Sequence, residues 1–117
     1  MGKVEHINPA ALHTNPGFTQ VVTVTGPHKT VYIGGQNAVN HQGEIVGKGD
    51  IAAQSKQAFA NLIHCLDAAG AKLEHVVKWR IFVMQGQDMH PGFAAFQAVW
   101  GQRPNPPAIT VAVVAGF

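Results

Sequence analysis

The run Ala108-Ile109-Thr110-Val111-Ala112-Val113-Val114 limits the fold more than any other part of the chain. It is almost wholly apolar and rich in β-branched residues, so it reads as a strand. Arg103-Pro104-Asn105-Pro106-Pro107 delivers it as a stiff, extended linker, and prolines that cannot donate to a ladder keep that linker outside the sheet. Ile109 to Phe117 carries no charge, whereas natural sheet edges are blunted by Lys, Pro or a covering element. Either a further strand has been lost by truncation or another chain covers this edge, and an oligomer is expected.

The rest of the chain supplies the elements around that strand. Val4 to Ile7 reads as a short edge strand closed by Asn8-Pro9. Thr19 to Thr25 ends at Gly26-Pro27 and makes a hairpin with Thr30 to Ile33. Val39 to Gly49 is a glycine-punctuated loop. Asp50 is a good N-cap and Gly70 a stop for a helix whose apolar face is Phe59, Leu62, Ile63, Leu66 and Ala69. His75 to Met84 is the longest strand candidate, with Val77, Trp79, Ile81 and Val83 on one face. Lys78 and Arg80 mark the other face as wet or as an interface with acidic groups. Asp88 to Gly101 reads as a second helix, with Pro91 in its first turn and a stripe of Phe93, Phe96, Gln97 and Trp100. Gln97 is the polar intruder there, and a buried amide must bond backbone or face a ligand. The predicted order is β-β-β-α-β-α-β, an α+β domain with both helices on one face of a mixed sheet.

Composition removes several function classes. A chain of 117 residues is one domain, and 46% hydrophobic against 12% charged residues favours burial between subunits. A net charge of +2 from scattered cations gives no basic groove, which argues against a nucleic-acid binder. Lys3, Glu5 and Pro9 exclude a signal peptide at the beginning, and no apolar run reaches membrane-spanning length. The single cysteine, Cys65, fits a reducing cytoplasm and reads as a small buried hydrophobe. Seven histidines are widely spaced, without the pairings of a metal site, so no metal is expected. Gly43-x-x-x-Gly47-Lys48 lacks the spacing and hydroxyl of a phosphate loop.

Val31-Tyr32-Ile33 runs straight into Gly34-Gly35-Gln36. Paired glycines ending a strand permit a ligand or another backbone to approach the main chain closely. With Pro16-Gly17-Phe18 before the second strand, Ala68-Ala69-Gly70-Ala71 closing the first helix, Val76-Val77-Lys78 before Ile81-Phe82-Val83, and Asp88-Met89 before Phe93, the chain resembles the Rid/YjgF reactive-intermediate deaminase family almost end to end. That resemblance implies a chorismate-mutase-like fold over residues 1–117, a cytoplasmic homotrimer, and ligand pockets between subunits. It further implies hydrolysis of small enamines and imines, such as 2-aminoacrylate, to the keto acid and ammonia without metal or organic cofactor.

The resemblance places Phe18 where a tyrosine is common, Gly34 at a serine, Gln97 at an asparagine, and Ala108 at the arginine that clamps the substrate carboxylate. The family's final Val-Glu-Ile-Glu strand is absent. Phe18, Gly34, Gly35 and Gln97 are therefore the expected ligand-binding residues, with Arg103, or else Lys78 or Arg80, as a substitute cation; a neutral ligand would need none. No catalytic residue is assigned. The alternatives are a trimeric ligand sensor or protein-interaction module that has lost the chemistry, and the RNA-cleaving, translation-inhibiting role attached to the family.

Overall fold

The computed structural model describes residues 2–116; Met1 and Phe117, the last residue of the expected uncharged strand, lie outside them. Strands β1 (Lys3–Ile7) and β2 (Val21–Thr25) pair antiparallel, Lys3 opposite Thr25 and Ile7 opposite Val21. Helix α1 (Ile51–Ala68) and a 3-10 turn, Leu73–His75, lead into β3 (Lys78–Met84). Helix α2 (His90–Trp100) then crosses back so that β4 (Ala108–Val114) lies parallel to β3, from Lys78 beside Ala108 to Met84 beside Val114.

Helix α1 starts and stops for local reasons. The Asp50 carboxylate accepts the backbone N–H groups of Ala52 and Ala53, two donors that the first turn leaves unpaired. At the far end Gly70 takes φ 72°, which lets its N–H reach the Asp67 carbonyl and the Ala71 N–H reach that of Leu66. The loop before the helix needs Gly47, since at φ 70° an added Cβ would lie 2.6 Å from that of Ala53.

Both helices pack on one face of the β3–β4 sheet. Leu66, Leu73, Phe96 and Trp100 are buried at the centre, with Phe59, Leu62, Trp79 and Ile109 packed against them. Trp79 meets Phe96 and Phe59 edge-on, at centroid separations of 5.2 and 5.4 Å, while Phe96 stacks on Trp100 at 6.2 Å. Such edge-to-face and offset contacts suit the aromatic quadrupole. β3 alternates as expected: Trp79, Ile81 and Val83 face the helices, and Lys78, Arg80, Phe82 and Met84 do not.

The α+β class stands, but one expected strand does not form. Val31-Tyr32-Ile33 joins no ladder, and instead of one sheet there are two separate two-stranded sheets. β2 pairs with β1 rather than with this run. The reason is a set of side-chain ties to α1. The Lys29 ammonium donates to the Ala69 carbonyl at 2.6 Å, and the Asn61 amide donates to the carbonyls of Asn37 and Val39 at 3.0 and 2.7 Å. The chain is thereby drawn across the helix instead of back along β2. Ile33 reaches the core, whereas Tyr32 is 93% exposed.

The chain is open for its size. Its accessible surface is 8208 Å², whereas a compact monomer of its mass would expose about 6,100 Å². Its radius of gyration is 15.2 Å against roughly 13 Å for a compact chain of this length. Phe82 and Val113 contribute to this surface, 54% and 59% exposed.

Candidate functional site

A buried threonine builds the corner beside Phe18, one of the residues expected to bind ligand. Thr19, at the entry to β2, donates its N–H to the Pro107 carbonyl at 3.1 Å and its hydroxyl to the Pro106 carbonyl. Pro107 is fully buried. This clasp ties the beginning of β2 to the beginning of β4, so Phe18 and Ala108, its immediate neighbours on each side, are brought together. The Phe18 ring stands edge-on to His13 at 6.3 Å, and the loop between them is held by Gln20, which donates its amide to the His13 carbonyl.

The residue beside Ala108 in the parallel register is Lys78. Its ammonium donates to the Thr110 hydroxyl at 2.7 Å, on the sheet face away from the helices. The start of the β3–β4 pair therefore carries a methyl group, a cation and a hydroxyl, with Phe18 next to the Thr19 clasp on the neighbouring segment. The sequence signals Lys78 as a face-marking cation, but its place next to Ala108 depends on strand register, which the sequence does not display. Thr19 carries no sequence signal.

The remaining expected residues lie elsewhere on the chain. Gly34 and Gly35 are exposed, and a Cβ on either would meet nothing within 4 Å, so no close approach within this chain explains them. The Gln36 amide folds back to donate to the Gly34 carbonyl. Gln97 is exposed rather than part of the buried stripe, because it follows Phe96 by about 100° around α2 and so turns off the core-facing side. Arg103 closes the end of α2. Its Nη1 donates to the carbonyls of Val99 and Trp100 at 3.0 and 2.8 Å, and its Nε donates to Glu74 at 2.9 Å. The Glu74 carboxyl is held below its ordinary pKa, first by that hydrogen bond from Arg103 and then by its own backbone N–H.

Two of the surface hollows among the described residues are as follows. One of about 340 Å³ lies between the helix ends and includes Ile63, Leu66, Lys72, Glu74 and Arg103 in its lining. The other, about 420 Å³, is lined by Val39, Asn40, His41, Gln57, Asn61 and His64. Neither is lined by Phe18, Gly34, Gly35 or Ala108. Among the described residues no three His, Cys, Asp or Glu side chains gather as metal ligands.

The family model described as Endoribonuclease L-PSP matches residues 9–116. The chain belongs to this family, the Rid/YjgF proteins. A Rid family protein of unknown function from Yersinia pestis, YyfB, superposes with a TM-score of 0.85 and 30% identity over 97% of this chain and 87% of its own. The YjgF protein of E. coli superposes with a TM-score of 0.64 and 31% identity over 72% of this chain and 66% of its own. A 2-iminobutanoate/2-iminopropanoate deaminase of the mite Dermatophagoides farinae is 34% identical over 82% of this chain and 72% of its own length. No helix among the described residues of this Rid family protein is long and apolar enough to cross a membrane.

Proposed function

We propose that this Rid family protein is a homotrimer that takes a small carboxylate-bearing imine or enamine into a pocket between subunits and hydrolyses it to the keto acid and ammonia. Kinship with an imine deaminase supports the substrate class, and the open surface of the protomer supports assembly. The observation that carries the reading is Lys78 beside Ala108, hydrogen-bonded to Thr110, at the corner that Thr19 closes onto Phe18.

Lys78 holds the substrate carboxylate as a point charge, in place of the bidentate fork an arginine would give, and the Thr110 hydroxyl offers a second donor. Phe18 walls the apolar side of the substrate. The backbone of Gly34 and Gly35, open to a neighbouring subunit, orients the imine and a water. Gln97 offers an amide from the outer face of α2. Water adds across C=N to give a carbinolamine, which expels ammonia as its C–N bond breaks and the C=O forms. An enamine first takes a proton at carbon and releases one from nitrogen to become the imine. Arg103 serves the end of α2 rather than the substrate.

The test is ammonia release from 2-aminoacrylate generated in situ. The wild type accelerates release over buffer, Lys78→Met abolishes the acceleration, and Lys78→Arg retains it. Acceleration undiminished in Lys78→Met refutes the role of the lysine. Ligand binding without any acceleration establishes the second reading, a binding-only trimer, which the methyl group at position 108 favours.

A further inference from the structure

The far ends of both helices and the 3-10 turn Leu73–His75 border the hollow of about 340 Å³. Sites for small molecules span roughly 300–1,000 Å³, so this one suits a small metabolite. It belongs to the helix layer, whereas Lys78 and Thr110 meet on the other face of the β3–β4 sheet. Its floor is apolar. Leu66 and Leu73 are 5% and 7% exposed there, and Ile63, 38% exposed, and Val99 add to the lining.

The charged groups of the hollow fall into two sets. Arg103 and Glu74 satisfy each other, and Arg103 also caps the carbonyls of Val99 and Trp100. Asp67 and Lys72 line the same hollow, yet among the described residues neither belongs to an ion pair. The Glu74 carboxyl is held low first by the Arg103 hydrogen bond and least by the charge of Lys72, so Lys72 is not committed to it. Asp67 is set against its own helix. It stands in the last turn of α1, the negative end, and no basic residue shares that turn. Lys29 reaches this end but donates to the Ala69 carbonyl.

We propose that this hollow binds a free α-amino acid with an aliphatic side chain, its ammonium on Asp67, its carboxylate on Lys72 and its hydrocarbon on Leu66, Ile63 and Val99. A zwitterion answers one open anion and one open cation together, with charge-assisted hydrogen bonds at both ends. An amine alone leaves Lys72 unpaired, a fatty carboxylate leaves Asp67 unpaired, and an uncharged molecule leaves both. Each exposed ion pair is weak by itself, so selectivity comes from meeting both charges and the apolar floor at once. This site shares no residue with the proposed imine pocket and stands whether or not the protein hydrolyses imines.

The experiment titrates the full chain with L-leucine and follows the backbone amides by NMR. The expected result is saturable shifts in residues 63–74 and 99–103, with a Kd on the order of 1 mM. Isoamylamine, isocaproate and glycine, which lack the carboxylate, the ammonium and the side chain respectively, bind about fivefold more weakly. Asp67→Asn removes the preference for leucine over isocaproate, and Lys72→Gln removes the preference over isoamylamine. Both side chains are exposed, circular dichroism checks that the variants are folded, and ammonia release from 2-aminoacrylate is unchanged in each. The proposal is overturned by absence of shifts at tens of millimolar leucine, or by leucine binding indifferent to both substitutions. Shifts confined to Phe18, Gly34, Gly35 and Lys78 also overturn it, since leucine then occupies the imine pocket alone.

Discussion

Thr19→Val isolates the hydrogen bond that closes the Phe18 corner. Valine nearly matches threonine in volume, so the change opens no cavity, and the N–H to Pro107 bond remains. What disappears is the hydroxyl donor to the Pro106 carbonyl, made by a side chain only 3% exposed. Losing a partner at a buried site costs about 1–3 kcal/mol, and the surviving backbone bond argues for the lower half of that range, about 1.5 kcal/mol. With a urea m-value near ~1.5 kcal/mol/M, the unfolding midpoint falls by about 1 M, and Tm falls by roughly 5 °C. Thr19→Ser keeps the donor and loses one methyl, costing about 0.8 kcal/mol. Urea titrations followed by tryptophan fluorescence rank the three proteins. A Thr19→Val midpoint within about 0.2 M of wild type, or a serine variant no better than valine, refutes the hydrogen bond as the source of stability.

Other perturbations follow from the same structure. Asp50→Ala removes the cap that accepts from Ala52 and Ala53, lowering stability by about 1 kcal/mol in chemical denaturation. Phe96→Ala empties the centre of the aromatic cluster and costs about 3–5 kcal/mol, enough to collapse the near-ultraviolet circular dichroism of a marginally stable domain. The Glu74 carboxyl titrates below its ordinary value because Arg103 donates to it; in Arg103→Gln its pKa rises towards that value, as NMR titration would show. A depressed carboxyl pKa adds stability above the unfolded-state value and loses it as pH falls through the folded one. The Arg103 contact should therefore matter at neutral pH and vanish in acid, weakly, since the pair is exposed to solvent.

Much of the fold was legible where local chemistry decides it. An aspartate cap, an apolar stripe from Phe59 to Ala69 and a terminal glycine announce α1, and the Pro-rich linker fixes the first residue of β4 at Ala108. Val31-Tyr32-Ile33 has strand composition too, but a ladder needs a partner, and Lys29 and Asn61 tie the flanking chain to α1 instead. The strand expected from His75 begins only at Lys78, because His75 closes the 3-10 turn Leu73–His75, where the Lys72 N–H finds the His75 ring rather than a neighbouring strand. At the site, family resemblance pointed to Phe18 and Ala108, and the Thr19 clasp brings them together. Lys78 beside Ala108 could not be read, because register is a property of two strands and neither sequence contains it. Gln97 was misread as buried because a stripe spaced at three and four residues tolerates a neighbour one position off its axis.

The distribution of chromophores makes this protein a convenient optical reporter. Both tryptophans belong to the cluster around Phe96, so indole emission follows disruption of the interior. The sole tyrosine, Tyr32, projects into solvent two residues before the glycine pair. Phenol absorbance, and phenol emission with its quenching by acrylamide, therefore follow whatever docks at that surface, and docking and unfolding can be recorded on one unlabelled sample at separate wavelengths.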